Sequence, residues 1–186
     1  VLRAGAIIGP GRMGTARRGV ALGPMLLMPG GAARITLIAA GHCAAKGRPA
    51  RNPLICHVDG VAMAERIDRL DARAHALADA FWPGPVTIVV PRAPASPVAP
   101  AATADGPTVA IRMPDEPLFR RVVTALARPV AAPSANRSGR VSATTAADVV
   151  AELGDRVSLV LDGGPSPLGL ESTVVDLSGP EPRILR

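Results

Sequence analysis

From Asn52 to Arg186 short apolar runs of strand length alternate with stretches of helical spacing, and this alternation constrains the fold more than any other feature of the chain. Residues 54–58 form an apolar run suited to a strand. Across 61–81, Ile67, Leu70, Ala74, Leu77, Ala78 and Phe81 recur at helical spacing, as two helices or one broken helix. Pro83 and Pro85 stop the pattern. Residues 86–90 are continuous and β-branched, which reads as a buried strand. The Ala- and Pro-rich stretch 92–107 is expected to be an exposed loop. Residues 108–112 read as a strand, 117–127 as a helix and 129–132 as a further strand. Thr145 with Asp148 three residues on has the form of a capping box, opening a helix to Leu153 that Gly154 closes. Residues 157–162 and 173–177 read as strands, and Ser178-Gly179-Pro180 turns the chain into a last short strand at 183–185. Neither element type runs on alone, so the expected class is α/β, one domain over 1–186 with a mixed sheet.

The length of 186 residues and 48% hydrophobic content supply one substantial core. Aromatic residues are 2% of the chain and Tyr is absent, so that core must be aliphatic. No apolar stretch reaches the length of a membrane span, and the run at 25–28 is too short for a signal sequence; the expectation is a soluble, cytoplasmic protein with no membrane partner. Cys43 and Cys56 lack the paired spacing of a zinc site or a disulfide framework, which makes structural thiols of them and leaves no metal ligands to nominate.

The net charge of +6 is unevenly placed. Eight basic residues and no acidic one precede Asp59, whereas 13 basic and 15 acidic residues lie from Asp59 onward. The surplus therefore belongs to the N-terminal third and is weak evidence for an RNA partner. Lys46 is the chain's one lysine among 20 arginines. Its compact ammonium suits a phosphate or carboxylate where the planar guanidinium fork does not fit.

Three loops could carry chemistry. Lys46-Gly47-Arg48-Pro49, followed by Asn52 and His57, sets two cations and an amide just before a strand, where ligands dock in α/β sheets; a solvated basic loop would look the same. Pro133-Ser134-Ala135-Asn136-Arg137-Ser138-Gly139 offers small residues and hydroxyls that let backbone amides approach an anion, although a simple turn uses the same residues. Asp162-Gly163-Gly164-Pro165, running on to Glu171-Ser172-Thr173, is more elaborate than a connection requires. Arg112 ends one strand and Arg186 the sequence. No Walker A pattern, Ser-His-Asp set or Cys-His pair is present, and His75 reads as a surface or core histidine. The residues point to binding and positioning rather than covalent catalysis.

The strings K-G-R-P-x-x-N-P-L-I-x-H, F-W-P-G-P-V-T, V-A-I-R-M-P, P-S-A-N-R-S-G and L-D-G-G-P-x-P-x-G-x-E-S-T-V-V-D, in this order, resemble the YrdC/TsaC-like threonylcarbamoyl-AMP synthase family. The resemblance implies a twisted open α/β sheet with a basic concave face. It also implies an enzyme joining L-threonine, bicarbonate and ATP into threonylcarbamoyl-AMP and pyrophosphate, the first step of threonylcarbamoyladenosine synthesis in tRNA. By the same resemblance Arg48, Asn52, Thr108, Ser134, Ser142 and Arg186 contact ATP, Lys46 lies beside the phosphates as a catalytic cation with Arg48, and a Mg²⁺ ion accompanies the nucleotide. His57, Arg112, the backbone near Ala132, and Ser172 hold the threonine. The partners it implies are tRNA or another double-stranded RNA and the threonylcarbamoyl transferase proteins that take the product onward.

One motif of that family is missing. Where it carries P-T-E-T-x-Y-G-L-G, this chain reads Gly23-Pro24-Met25-Leu26-Leu27-Met28, inside a stretch, 9–43, that is altered rather than shortened. Written as ATG-CTG-CTG-ATG and read one base earlier, Met25-Leu26-Leu27-Met28 becomes GAT-GCT-GCT-GAT, or Asp-Ala-Ala-Asp, and the expectation is a pair of compensating frameshifts. A chain without that motif is expected to have weak or absent synthase activity, and the alternative is an RNA- or nucleotide-binding module.

Overall fold

The structure is a computed structural model that describes residues 6–8, 46, 47, 49, 51–157 and 159–186. Cys43, Arg48 and all of the anomalous stretch 9–43 lie outside the described residues.

Six strands form the main sheet: β2 (Ile55–His57), β3 (Val86–Pro91), β4 (Thr108–Arg112), β5 (Val130–Ala132), β7 (Thr173–Asp176) and β8 (Arg183–Ile184). Their order is β5-β2-β4-β3-β7-β8. The β2/β4 and β3/β7 pairs are parallel, and the β2/β5, β3/β4 and β7/β8 pairs are antiparallel. The sheet is therefore mixed, as the alternation of elements implied. β1 (Ala6–Ile8) and β6 (Leu159–Leu161) pair with each other in a separate two-stranded antiparallel sheet, so the strand expected at 157–162 does not join the main one.

The helical pattern at 61–81 resolves into two helices, α1 (Val61–Glu65) and α2 (Ala72–Phe81), the second opened by Asp71, whose carboxylate accepts from Ala74 N at 2.9 Å. The stretch 92–107 is not the plain exposed loop its prolines implied. It contains a short helix, α3 (Pro100–Thr103), with Val98, Ala102 and Thr103 buried. Pro100 stands in the first turn, where its fixed φ starts a helix instead of breaking one. α4 (Pro117–Leu126) and α5 (Ala146–Leu153) complete the set. At α5 the Thr145 hydroxyl accepts from Asp148 N at 3.1 Å while the Asp148 carboxylate accepts from Thr145 N at 2.9 Å, a complete capping box.

The two faces of the main sheet differ. Cys56, Val58, Ile88, Val90, Val109, Ile111 and Leu177 belong to one aliphatic core with Met63, Ala64, Ala74 and Ala78 of the helical segments and Phe119 and Val123 of α4. Burial holds the Cys56 thiol up at about 12, so it stays protonated and inert. The alternate residues of the same strands face the other way, because successive side chains point to opposite faces. They include Ile55, His57, Thr87, Val89, Thr108, Ala110, Arg112, Ala132 and Val174, and all nine line one cavity.

Candidate functional site

This cavity has a volume of about 560 Å³, and its floor is a sheet face rather than the ends of strands. Ala110, Ala132, Thr87 and Thr108 leave space above the backbone that larger side chains would fill. The walls include Lys46, the loop at residues 133–142, and Glu171 and Ser172 at the end of the loop before β7. The loop after β5 rests on a small second core in which Ala135 packs with Val149 and Leu153 of α5.

Lys46 is 3% exposed. Its Nζ donates to the Ser134 carbonyl, to Ser134 Oγ at 3.2 Å and to Asn136 Oδ1 at 3.5 Å, and its own carbonyl accepts from Ser138 N at 3.0 Å. Asn136 is oriented by its amide nitrogen, which donates to Arg137 O at 3.1 Å and Arg140 O at 2.7 Å, so its oxygen turns to the lysine. The lysine segment and the Ser-Ala-Asn loop, 88 residues apart in sequence, are thereby one unit.

His57 and Arg112 sit side by side on the parallel strands β2 and β4. The imidazole is buried and meets the Phe119 ring edge-on at 5.1 Å. Burial, with the Arg112 charge adding to it, pushes its pKa down to about 3, so the ring is neutral near pH 7. The Nδ1 atom lies 3.2 Å from Val130 O and donates there in the neutral tautomer, which leaves Nε2 with a lone pair. Arg112 is 3% exposed, and its Nε donates to Gly84 O at 2.9 Å. Burial lowers its pKa, Asp115 opposes that, and Arg186 adds to it. A guanidinium nevertheless keeps its charge.

Ser172, at the entrance to β7, is buried and lies 2.9 Å from Thr87 Oγ1. Arg186 returns its guanidinium to this residue: Nε donates to Ser172 O at 3.0 Å and Nη2 to Ser172 Oγ at 3.1 Å. The Arg186 carbonyl accepts from Val174 N at 3.0 Å, which fixes the segment that carries it. Across the opening, Ser142 Oγ donates to Glu171 Oε1 at 2.6 Å, and this bond holds the Glu171 carboxyl below its ordinary pKa.

The cavity thus gathers Lys46, His57, Thr108, Arg112, Ala132, Ser134, Ser142, Ser172 and Arg186 from the residues nominated by sequence. Asn52 is exposed and is not among the lining residues. Arg48 lies outside the described residues. Thr87, Asn136 and Glu171 line the cavity and were given no role from sequence, although each stands within one of the five strings. Among the described residues no three His, Cys, Asp or Glu side chains gather as a metal site, and Glu171 is the one carboxylate lining the cavity. Such a donor set suits a Mg²⁺ ion held mainly by substrate phosphates.

The family model for Sua5, YciO and YrdC, described as telomere recombination, matches residues 42–186. The chain belongs to this family. The matched span contains every residue that lines the cavity. Among Sua5/YciO/YrdC relatives, the chain is 42% identical over 143 residues to a threonylcarbamoyl-AMP synthase of Bacillus subtilis, covering 76% of this chain and 41% of that protein. It is also 42% identical over 144 residues to the threonylcarbamoyl-AMP synthase of Pyrococcus abyssi, covering 76% of this chain and 42% of that protein. The crystal structure of P. abyssi Sua5 complexed with L-threonine superposes with a TM-score of 0.73 at 39% identity, covering 78% of this chain and 42% of that one. The chain therefore spans about two fifths of the length of these relatives. As a Sua5/YciO/YrdC domain its main sheet is the expected mixed open α/β sheet, and Lys46 and Arg112 line the cavity on one of its faces.

Proposed function

We propose that this domain forms threonylcarbamoyl-AMP and pyrophosphate from L-threonine, bicarbonate and ATP. The observation that carries the reading is the single cavity in which two buried cations, Lys46 and Arg112, face hydroxyls from separate loops, Ser134, Ser142 and Ser172. Threonine and bicarbonate condense to an N-carboxylate with loss of water. An oxygen of that carbamate then attacks the α-phosphorus of ATP, the bond to the β-phosphate oxygen breaks, and pyrophosphate departs with the electron pair.

In this reading Lys46, Thr108, Ser134, Ser142 and Arg186 hold the nucleotide, with Arg48 and Asn52 contributing from the segment before β2. Arg112 takes the amino-acid carboxylate through its Nη atoms, His57 and Ser172 complete that subsite, and the Ala132 backbone borders it. Mg²⁺ bound with the polyphosphate supplies charge neutralisation there. A cytoplasmic setting, a tRNA end use and a downstream threonylcarbamoyl transferase follow from the same reading. Among the described residues no helix is long and apolar enough to cross a membrane.

The sequence of 9–43, which lacks the Pro-Thr-Glu-Thr motif, favours a second reading, a nucleotide- or RNA-binding module without turnover. The deciding experiment measures threonine- and bicarbonate-dependent pyrophosphate release from ATP. It compares this chain with one whose residues 9–43 are replaced by the alternative-frame sequence. Turnover in the repaired chain supports the synthase reading. Folded but inactive protein in both, with salt-dependent RNA affinity, replaces it with the binding module.

A further inference from the structure

Thr87 has no place in the nucleotide or amino-acid contacts assigned above, yet it is fully buried in the floor of the same cavity. It stands on β3 opposite Val174 of β7, and its Oγ1 lies 2.9 Å from Ser172 Oγ. Among the described residues that hydroxyl has Ser172 as its one hydrogen-bond partner. Either oxygen can donate at this distance; the arrangement that leaves no buried hydroxyl proton without an acceptor has Thr87 donating and Ser172 accepting. Ser172 Oγ also accepts from Arg186 Nη2 at 3.1 Å, and a guanidinium has no other option than to donate. With both lone pairs engaged, the Ser172 proton has the cavity as its direction.

We propose that Thr87 is a positioning residue of the amino-acid subsite, fixing Ser172 as a hydrogen-bond donor to the substrate carboxylate that Arg112 also takes. This inference rests on the proposed threonine site. A serine free to rotate would serve an acceptor or a donor group equally; one whose lone pairs are both occupied discriminates in favour of an acceptor. The arrangement also makes Arg186 a shared member of the nucleotide and threonine subsites, since the guanidinium that sets Ser172 is the one assigned to ATP.

The test measures L-threonine and ATP affinities by calorimetry on the full chain for the parent, Thr87→Val, Thr87→Ser, Ser172→Ala and the Thr87→Val/Ser172→Ala pair. Thr87→Val, nearly isosteric, is expected to weaken threonine about tenfold, the worth of one directed hydrogen bond, while Thr87→Ser restores it to within about twofold. On the Ser172→Ala background Thr87→Val is expected to add less than about twofold, because the hydroxyl it directs is gone. ATP affinity of Thr87→Val should fall far less than threonine affinity. Thr87→Ala carries the same comparison if the valine variant melts early. Thr87→Val binding threonine like the parent, or an equal loss on both backgrounds, overturns the proposal and leaves the threonine site standing. A parent chain that binds ATP but no threonine overturns both.

Discussion

Gly84→Ala is the smallest change that should damage both fold and site. A Cβ built at Gly84 falls 2.2 Å from the Phe81 carbonyl oxygen, which is backbone and cannot swing aside. Ordinary contact needs roughly 1 Å more, so the Trp82-to-Pro85 turn must move away from the end of α2. That turn is tied down by Trp82 Nε1 donating to Val86 O at 2.8 Å and by Gly84 N donating to Met113 O at 2.9 Å. Overpacking of this kind costs about 1–3 kcal/mol. The same movement displaces Gly84 O from Arg112 Nε, and a hydrogen bond to a charged group is worth about 1.5–3 kcal/mol. The two effects share one displacement and do not add fully, so about 3 kcal/mol is the expected loss. For a chain of this size that lowers Tm by roughly 6–12 °C. Urea denaturation read by circular dichroism measures it. Gly179→Ala is the control, since its Cβ would meet nothing closer than Glu181 O at 4.0 Å. A Gly84→Ala loss below about 0.5 kcal/mol, the range of ordinary surface changes, would refute the argument.

His57 gives a pH signature: the unfolded ring takes a proton near 6.5 and the folded one near 3, so between those values the unfolded state binds more protons and stability falls as pH drops. Relative to a His57→Gln variant, the parent should lose about 1.4 kcal/mol per pH unit on acidification through that window, measured by urea midpoints at pH 7 and 5; parallel pH profiles would show that the ring is not held neutral. Thr145→Ala removes half of the α5 capping box and should cost about 1 kcal/mol in the same assay, with Thr145→Ser retaining most of it.

Elements whose cause is local were legible from the sequence. Thr145 and Asp148 cap α5 through groups three residues apart, and the apolar run at 86–90 is the strand β3, buried throughout its first five residues. The helix at Pro100–Thr103 was missed because proline breaks a helix interior and starts a helix equally well, and only the burial of Val98 and Ala102 decides between the two. The strings that line the cavity were legible as strings. Which face of each strand they occupy was not, because β3 reads as apolar on both faces and hides that Thr87 and Val89 face the cavity while Ile88 and Val90 face the core. The pair Thr87 and Ser172, 85 residues apart, carries no local signal at all.

The electrostatics of the cavity restrict how the proposed reaction can be accelerated. A general acid or base works best with a pKa near the operating pH. His57 is held near 3 and Glu171 below its ordinary value, so at neutral pH one stays a neutral lone-pair acceptor and the other a fixed anion. Neither is poised to exchange a proton in the step that forms the phosphorus–oxygen bond. That step needs no such exchange, because the attacking carbamate is already an anion and pyrophosphate leaves as one. What it does need is the reacting oxygen held in line with the α-phosphorus and positive charge on the polyphosphate. Lys46, anchored to Ser134 and Asn136, and Arg112, anchored to Gly84, are cations immobilised before any ligand arrives. Their orientation is then set by folding rather than by binding, and the rate should follow the integrity of those anchors more closely than the pH.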